Sequence, residues 1–467
     1  MRAPSPVAEP ERTLMPHAPE PRRRGIDERA AAGRAARRVL TRTDLGVWDP
    51  ARRTQDALAT VLAQSRDRVP RLVPIRHGRM AHSPWTYYRG GAAVMAADLA
   101  TRPHSGLEVQ LCGDAHILNF GLWATPERSL SFDLRDFDET LPGPFEWDVL
   151  RLAASFVVLA RDVGVADDGA VDAATAMART YREAMHRFAG MGELEVWYEQ
   201  VHIDRFVEFF VAEEREQITR EITAEASKRT SRGAARKLVH LVDGRPQIVE
   251  APPFRIRVSD PDEPAGDDEI IASYAESLPE HVRVLLERFS VADVARQVVG
   301  VGSVGMEVFL VLLEGRSGDD PLLLQFKQAG PSVYEEHLGP SEHPNHGERV
   351  TVGRKKIQSA GDIFTGWTHV DSGDVYVRQF RDMKVIPEPQ VIAPRMPEFA
   401  VATGTVLARA HARTGDPVAI AAYLGSGRRF DRAVGRFALD YADQNERDHA
   451  QLVAAIAEGE VESAPGW

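Results

Sequence analysis

Three aspartates, Asp133, Asp136 and Asp138, fall within six residues of the stretch FDLRDFDE (132–139), and Phe132, Leu134 and Phe137 are interleaved with them. This pattern limits the folds open to the chain. The apolar side chains pull the segment inward, yet carboxylates this close repel one another strongly unless a cation stands among them. A divalent ion relieves that repulsion, because hard cations such as Mg2+ take carboxylate oxygens as ligands. Asp136 is the best-placed ligand, with Asp133 and Asp138 as alternatives. A solvated acidic loop is the other reading, and the apolar flanks argue against it.

A second polar stretch, GDAHILNF (113–120), comes just before. Asp114 and Asn119 are five apart, the D-x-x-x-x-N spacing of a kinase catalytic loop. There the aspartate accepts or orients the proton of an attacking hydroxyl, and the asparagine amide oxygen helps to hold Mg2+. Both must converge on one side of a tight loop, which Gly113 permits. His116 reads as a loop-packing residue; it lacks a second histidine at i+2 or i+4, so it is not a zinc ligand. Asp148 either caps the helix that follows or braces the loop. Cys112, the only cysteine, excludes an internal disulfide and a zinc–cysteine cluster and fits a reducing cytoplasm. On an apolar strand it reads as a packed thiol. Neither G-x-S-x-G nor H-E-x-x-H occurs.

The 467 residues suffice for two to four domains or one large two-lobed unit. The most apolar run, LAASFVVLA (152–160), is half the roughly 18 residues a membrane helix needs, so no membrane association is expected. The N-terminus shows no apolar core of a secretory signal, RRRG at 22–25 is not followed by one, and a cytoplasmic location is expected. A net charge of −12 argues against nucleic acid as a partner. The first forty residues differ: six prolines and then a series of arginines predict a disordered, solvated tail over 1–40.

Periodicity orders the chain as helical, then β-rich, then helical. A large helical lobe is expected over 41–258, with helices at 56–69 and 92–100 and the long apolar helix FEWDVLRLAASFVVLARDV. HLVDGRPQIVE predicts a hairpin turning at Asp243-Gly244. The acidic, Pro-rich stretch 259–269 reads as a surface loop and lobe boundary. A small β-rich lobe is expected over 281–386, and helices at 387–467 complete the large lobe.

The β-rich part contains VVGVGSVG, in which Gly300, Gly302 and Gly305 form G-x-G-x-x-G with Ser303 among them. A dinucleotide-binding fold would place a helix next. The residues that follow, MEVFLVLLEG, suit a strand, and strand–glycine turn–strand is the arrangement that covers ATP phosphates. A tight hairpin without ligand is the simpler alternative. The next strand, PLLLQFKQA, carries Lys327 near its end, where a kinase places the lysine that contacts the phosphates. A carboxylate must fix its ammonium, and Glu335, Glu336 and Glu348 are the candidates, Glu335 first.

GDAHILNFG, FDLRDFDETLPGPFEWDVLRLAAS, VGVGSVG, YVRQFRDMK and LARAHARTGD together resemble the bacterial domain-of-unknown-function family 2252, from about residue 23 to the end. The resemblance places the chain near the aminoglycoside and choline kinase branch of the protein-kinase-like superfamily. It implies Asp114 as base, Asn119 and Asp136 as magnesium ligands, Lys327 as phosphate contact, and ATP and Mg2+ as cofactors. The catalytic stretch precedes the glycine stretch by about 190 residues, so the fold expected is an α+β, two-lobed kinase-like fold in circularly permuted order.

The function expected is phosphoryl transfer to a hydroxyl on a small molecule or protein. Nucleotide binding without transfer, or nucleotidyl transfer, is the alternative; a dinucleotide-dependent oxidoreductase is the third. Arg89, between a tyrosine pair and a glycine pair, suits a phosphate or a substrate carboxylate, or else a structural pair with a loop aspartate.

Overall fold

A helix that is apolar on nearly every face is stable only inside a core. The computed structural model describes residues 25–252, 254–258, 265–298, 304–317 and 320–465. In it the helix Phe145–Asp162 is buried from Phe145 to Ala160. The helices Asp167–Ala189 and Arg429–Ala457 pack along it, and Met396–Ala412 packs on Asp167–Ala189. Small residues bring these backbones together: a Cβ at Gly404 would stand 2.6 Å from the Met177 carbonyl oxygen.

Four short strands border this helical body: β1 (Glu108–Leu111), β2 (Phe120–Ala124), β3 (Leu130–Leu134) and β4 (Leu141–Pro144). β1 pairs with β4 and β2 with β3, both antiparallel. The registers put Leu111 opposite Leu141 and Phe120 opposite Leu134. The connection from β1 to β2 and that from β3 to β4 therefore leave the pairs at adjoining ends. These connections are the two polar stretches around Asp114 and Asp136.

β5 (Val239–Val242) and β6 (Arg245–Ile248) form the expected hairpin, with Asp243 and Gly244 at φ 51° and 80°. Two consecutive positive φ values are what a tight two-residue hairpin turn requires. The largest sheet is antiparallel and has six strands: β7 (Arg255–Arg257), β8 (Ser290–Gln297), β9 (Val308–Glu314), β10 (Pro321–Gln328), β11 (Gly366–Val370) and β12 (Gly373–Gln379). Their order is β11-β12-β10-β9-β8-β7. Tyr274, Val282 and Leu286, from the helices Ala265–Glu276 and Glu280–Leu286, and Leu278 between them pack with Leu313, Leu322 and Leu324 of the sheet. Ala234 and Leu238, from the helix Ser231–Leu238, join Ile248 in a second cluster with Leu310, Leu312 and Leu323. The helix His346–Ile357 begins on an Asn345 cap and lies so close to β12 that a Cβ at Gly347 would meet the Val375 carbonyl at 2.2 Å.

Three expectations change. Residues 1–24 lie outside the described residues, but the rest of the stretch expected to be a disordered tail includes the helix Ile26–Ala36. The prolines end at Pro21, alanine-rich IDERAAAGRAA favours helix, and Gly33 lets it approach Ala419 of the helix Pro417–Leu424. The acidic loop 259–269 is described only from Ala265, where the chain is already helical. The helix expected over 56–69 covers Ala57–Ala63 alone. After Gly305 comes the strand β9 and not the helix that a dinucleotide site would need. The whole is an α+β arrangement of small antiparallel sheets and a larger helical part, and no helix of the described residues is long and apolar enough to cross a membrane.

Candidate functional site

The loop after β1 is held from below. The backbone N–H groups of Cys112 and Gly113 donate to the Asp148 carboxylate at 2.7 and 3.1 Å, and His411 Nε2 lies 3.2 Å from the same group. Asp148 is fully buried, so it braces the loop from the first turn of the central helix. Gly113 has φ +91°, and a Cβ there would stand 2.2 Å from the Glu139 carbonyl oxygen. Only glycine fits this approach of the two loops. Tyr334 closes the other side, donating its hydroxyl to the Gly113 carbonyl at 2.5 Å.

Above this base, Asn119 Nδ2 donates to the Asp114 carbonyl at 2.6 Å, so the amide N–H is committed within the loop. The Asp114 carboxylate is gripped through one oxygen: Arg151 Nε and Nη2 reach Oδ1 at 2.7 and 2.6 Å. Arg151 is fully buried, lies over the Tyr88 ring at 4.6 Å, and donates to the Tyr88 carbonyl at 3.1 Å. Burial raises the Asp114 pKa, with Arg151 working against the rise. His116 packs edge-on to Trp85, its Nε2 is 3.8 Å from Asp114 Oδ2, and its buried Nδ1 has no partner. Burial holds its pKa well below the usual imidazole value, so the ring is neutral.

β3 and the loop after it carry the three aspartates to different ends. Asp133 is fully buried and already satisfied: Arg409 Nη2 and the Leu134 N–H reach Oδ1 at 2.6 and 2.8 Å, while the Ser359 N–H and hydroxyl reach Oδ2 at 2.8 and 2.6 Å. It is a structural ion pair, which corrects its standing as an alternative metal ligand. Asp138 pairs with Lys327 and accepts from the Tyr376 hydroxyl at 2.7 Å. The partner of the β10 lysine is therefore Asp138, not Glu335, Glu336 or Glu348. Glu335 accepts from the N–H groups of Ser332 and Ser341 at 2.8 and 3.1 Å, and Glu348 lies 3.6 Å from the His343 ring. Sequence distance hid the pair: Lys327 and Asp138 are 189 residues apart.

Asp136 has no hydrogen bond or ion pair to another described residue. Burial disfavours its charge, but Lys327, Arg135, Arg378 and Lys384 outweigh that and hold the carboxyl well below its usual range. Burial likewise opposes the Lys327 charge, and Asp138, Tyr376 and Asp136 more than restore it. Arg89 stands nearby, with its buried Nε unpartnered and the Asp114 and Asp136 charges acting on it. Charge thus links Asp114 with Asp136 and Arg89, and Asp136 with Lys327, which Asp138 pairs, while Asn119 shares the Asp114 loop.

Gly300, Gly302 and Ser303 lie outside the described residues. Gly305, at φ +88°, is tied down by the Val69 N–H, which donates to its carbonyl at 2.8 Å. Arg68 Nη1 donates to the neighbouring Val304 carbonyl at 2.6 Å. Two cavities lie near these residues. One, of about 890 Å3, is lined by Asp138, Glu139, Arg68 and Ser332; the other, of about 400 Å3, by Arg135, Arg378 and Lys384. Among the described residues no group of three or more His, Cys, Asp or Glu side chains is disposed to hold a metal ion by itself.

Sequence reasoning missed Arg151, Tyr376, Arg135, Arg378 and Lys384. The signal for Arg151 was an arginine inside an apolar helix, since a buried charge demands a buried partner. The others sit in YVRQFRDMK or between the aspartates, where spacing does not say what they face.

The sequence profile of a family described as "Uncharacterized protein conserved in bacteria (DUF2252)" matches residues 68–455. No curated protein and no solved structure matches the chain.

Proposed function

The chain belongs to the DUF2252 family, and from the site it carries we propose an ATP- and Mg2+-dependent phosphotransferase acting on a hydroxyl acceptor. The carrying observation is the meeting of Lys327, from β10, with Asp136 and Asp138, from the loop after β3, beside Asp114 and Asn119. In a protein kinase a glycine-rich loop covers the phosphates, a strand lysine contacts them, and carboxylate and asparagine ligands hold Mg2+. On this reading the sequence carries the same parts in permuted order. Support also comes from the sheet: β8, the glycine stretch, β9, then β10 with its lysine, each strand hydrogen-bonded to the next.

The donor set suits Mg2+, which keeps waters and phosphate oxygens and needs only one or two protein oxygens. Asp136 is unbonded, and Asn119, whose Nδ2 is already used, has its amide oxygen left to offer. When bound, the ion would neutralise charge on the transferring phosphate. Lys327 binds the phosphates, held by Asp138, and Arg89 supplies a further free guanidinium. In transfer, the acceptor oxygen bonds to the γ-phosphorus and the bond from that phosphorus to the β–γ bridging oxygen breaks, releasing ADP. The hydroxyl proton passes to Asp114 Oδ2, the oxygen Arg151 leaves free.

A thermal-shift series with ATP, with and without Mg2+, tests the reading. The expected result is a Mg2+-dependent rise in the native midpoint that Asp136→Ala loses. Asp114→Asn should keep the ATP shift and lose about 10²–10⁴ in transfer rate. No shift of the native protein with any nucleotide would refute the proposal. Arg151 occupying one oxygen of Asp114 favours a second reading, nucleotide binding without transfer. That reading predicts the same shifts and no ADP formed with any acceptor.

A further inference from the structure

The cavity of about 400 Å3 beside Asp136 is walled by the end of β12, the segment that follows it, β2 and β10. Six of its lining side chains are Arg or Lys and two are Asp. Both aspartates are already used. Asp382 accepts from Arg128 at 2.7 Å, and Asp362 accepts from Thr365 and from the Phe364 and Gln379 N–H groups, with Arg354 at 3.5 Å.

The cations are not all used. The side chains of Arg135 and Lys384 have no hydrogen bond or ion pair to another described residue, and Lys384 Nζ lies 5.8 Å from the centre of the Trp123 ring. Trp123 Nε1 is itself a buried donor without an acceptor. Arg378 is preset: its Nε and Nη2 both donate to Gln325 Oε1, at 3.1 and 2.9 Å. Asp136 is the one carboxylate that acts on all three cations, so their charge is in excess, and with an unpaired indole N–H beside them the recess favours a further anion.

We propose that this cavity is a phosphate-binding site, in which Arg135, Arg378, Lys384 and the Trp123 indole N–H take a di- or triphosphate group. Arginine and lysine in a recess are the donors that phosphate oxygens need, and the volume falls in the range of small-ligand sites. The phosphates come from one of two sources: the terminal phosphates of the nucleotide itself, or a phosphate carried by the acceptor. Binding stands on the cavity alone; its place in a transfer reaction rests on the function proposed above.

Calorimetric titration of the full chain with sodium tripolyphosphate is the test. Native protein should bind it, more weakly as salt rises, and Lys384→Gln and Arg135→Gln should each weaken binding at least about tenfold with no loss of thermal midpoint. No binding by the native protein, or equal affinity in both variants, would overturn the proposal. Should the variants misfold, acylation of Lys384 in the native protein, mapped by peptide, replaces them. Tripolyphosphate should protect that lysine, and unchanged labelling would overturn the site. ATP with Mg2+ that displaces tripolyphosphate identifies the nucleotide's own phosphates as the occupant; binding of both at once identifies the acceptor's. Loss of the ATP response in Lys327→Met with tripolyphosphate still bound is the expected separation of this site from the nucleotide grip. Absence of any ATP response in the native protein, with tripolyphosphate bound, would remove the transferase reading and leave the phosphate site.

Discussion

Glu139 shows how much a single position in the cleft depends on its surroundings. Burial pushes its carboxyl up to about 7, against the Val333 N–H, which donates to it at 2.8 Å. The unfolded chain titrates this group near 4.5. Between those values the folded chain binds the extra proton, so stability falls as pH rises through that window and is flat in this term outside it. Glu139→Gln should remove that slope and leave the variant the more stable form at pH 8, as urea unfolding at pH 5, 6, 7 and 8 would record. Gly113→Ala should cost more than about 2 kcal/mol, because it sets a side chain at positive φ and against the Glu139 carbonyl. Thermal unfolding would register that loss.

At the scale of elements, the two loops owe their meeting to the pairing of β1 with β4 and β2 with β3. Asp133 anchors that arrangement from outside the cleft through Arg409 of the helix Met396–Ala412. Asp133→Ala would leave the guanidinium buried beside no carboxylate, a loss of about 3–5 kcal/mol. The variant should still show the Mg2+-dependent ATP shift at low temperature, whereas Asp136→Ala should not. A lost response in both would return Asp133 to the metal ligands.

For the whole molecule, the six-stranded sheet and the helical body are joined by many hydrogen bonds and ion pairs, those of Arg349 among them. Arg349, on the helix His346–Ile357, donates to the carbonyls of Asp138, Thr140 and Gly330, each at 2.8 Å. Lys327 adds its pair with Asp138. Arg349→Met leaves three carbonyls without that donor, so scanning calorimetry should record a lower thermal midpoint than for the native protein.

Local residue order was enough for most elements. The Asp-Gly hairpin, the apolar central helix and the strands β8, β9 and β10 follow from propensity and periodicity, because those preferences act over a few residues. The Asp114–Asn119 loop and the crowded aspartates were legible for the same reason: like charges among apolar residues announce a cation. Which cation was not legible. Tertiary structure alone decided that Asp133 meets Arg409, that Asp138 and not Glu335 holds Lys327, that Arg151 occupies Asp114, and that Arg135, Arg378 and Lys384 share a recess. Each pairing spans a long stretch of chain, and charge acts through distance in space, which the order of residues does not record.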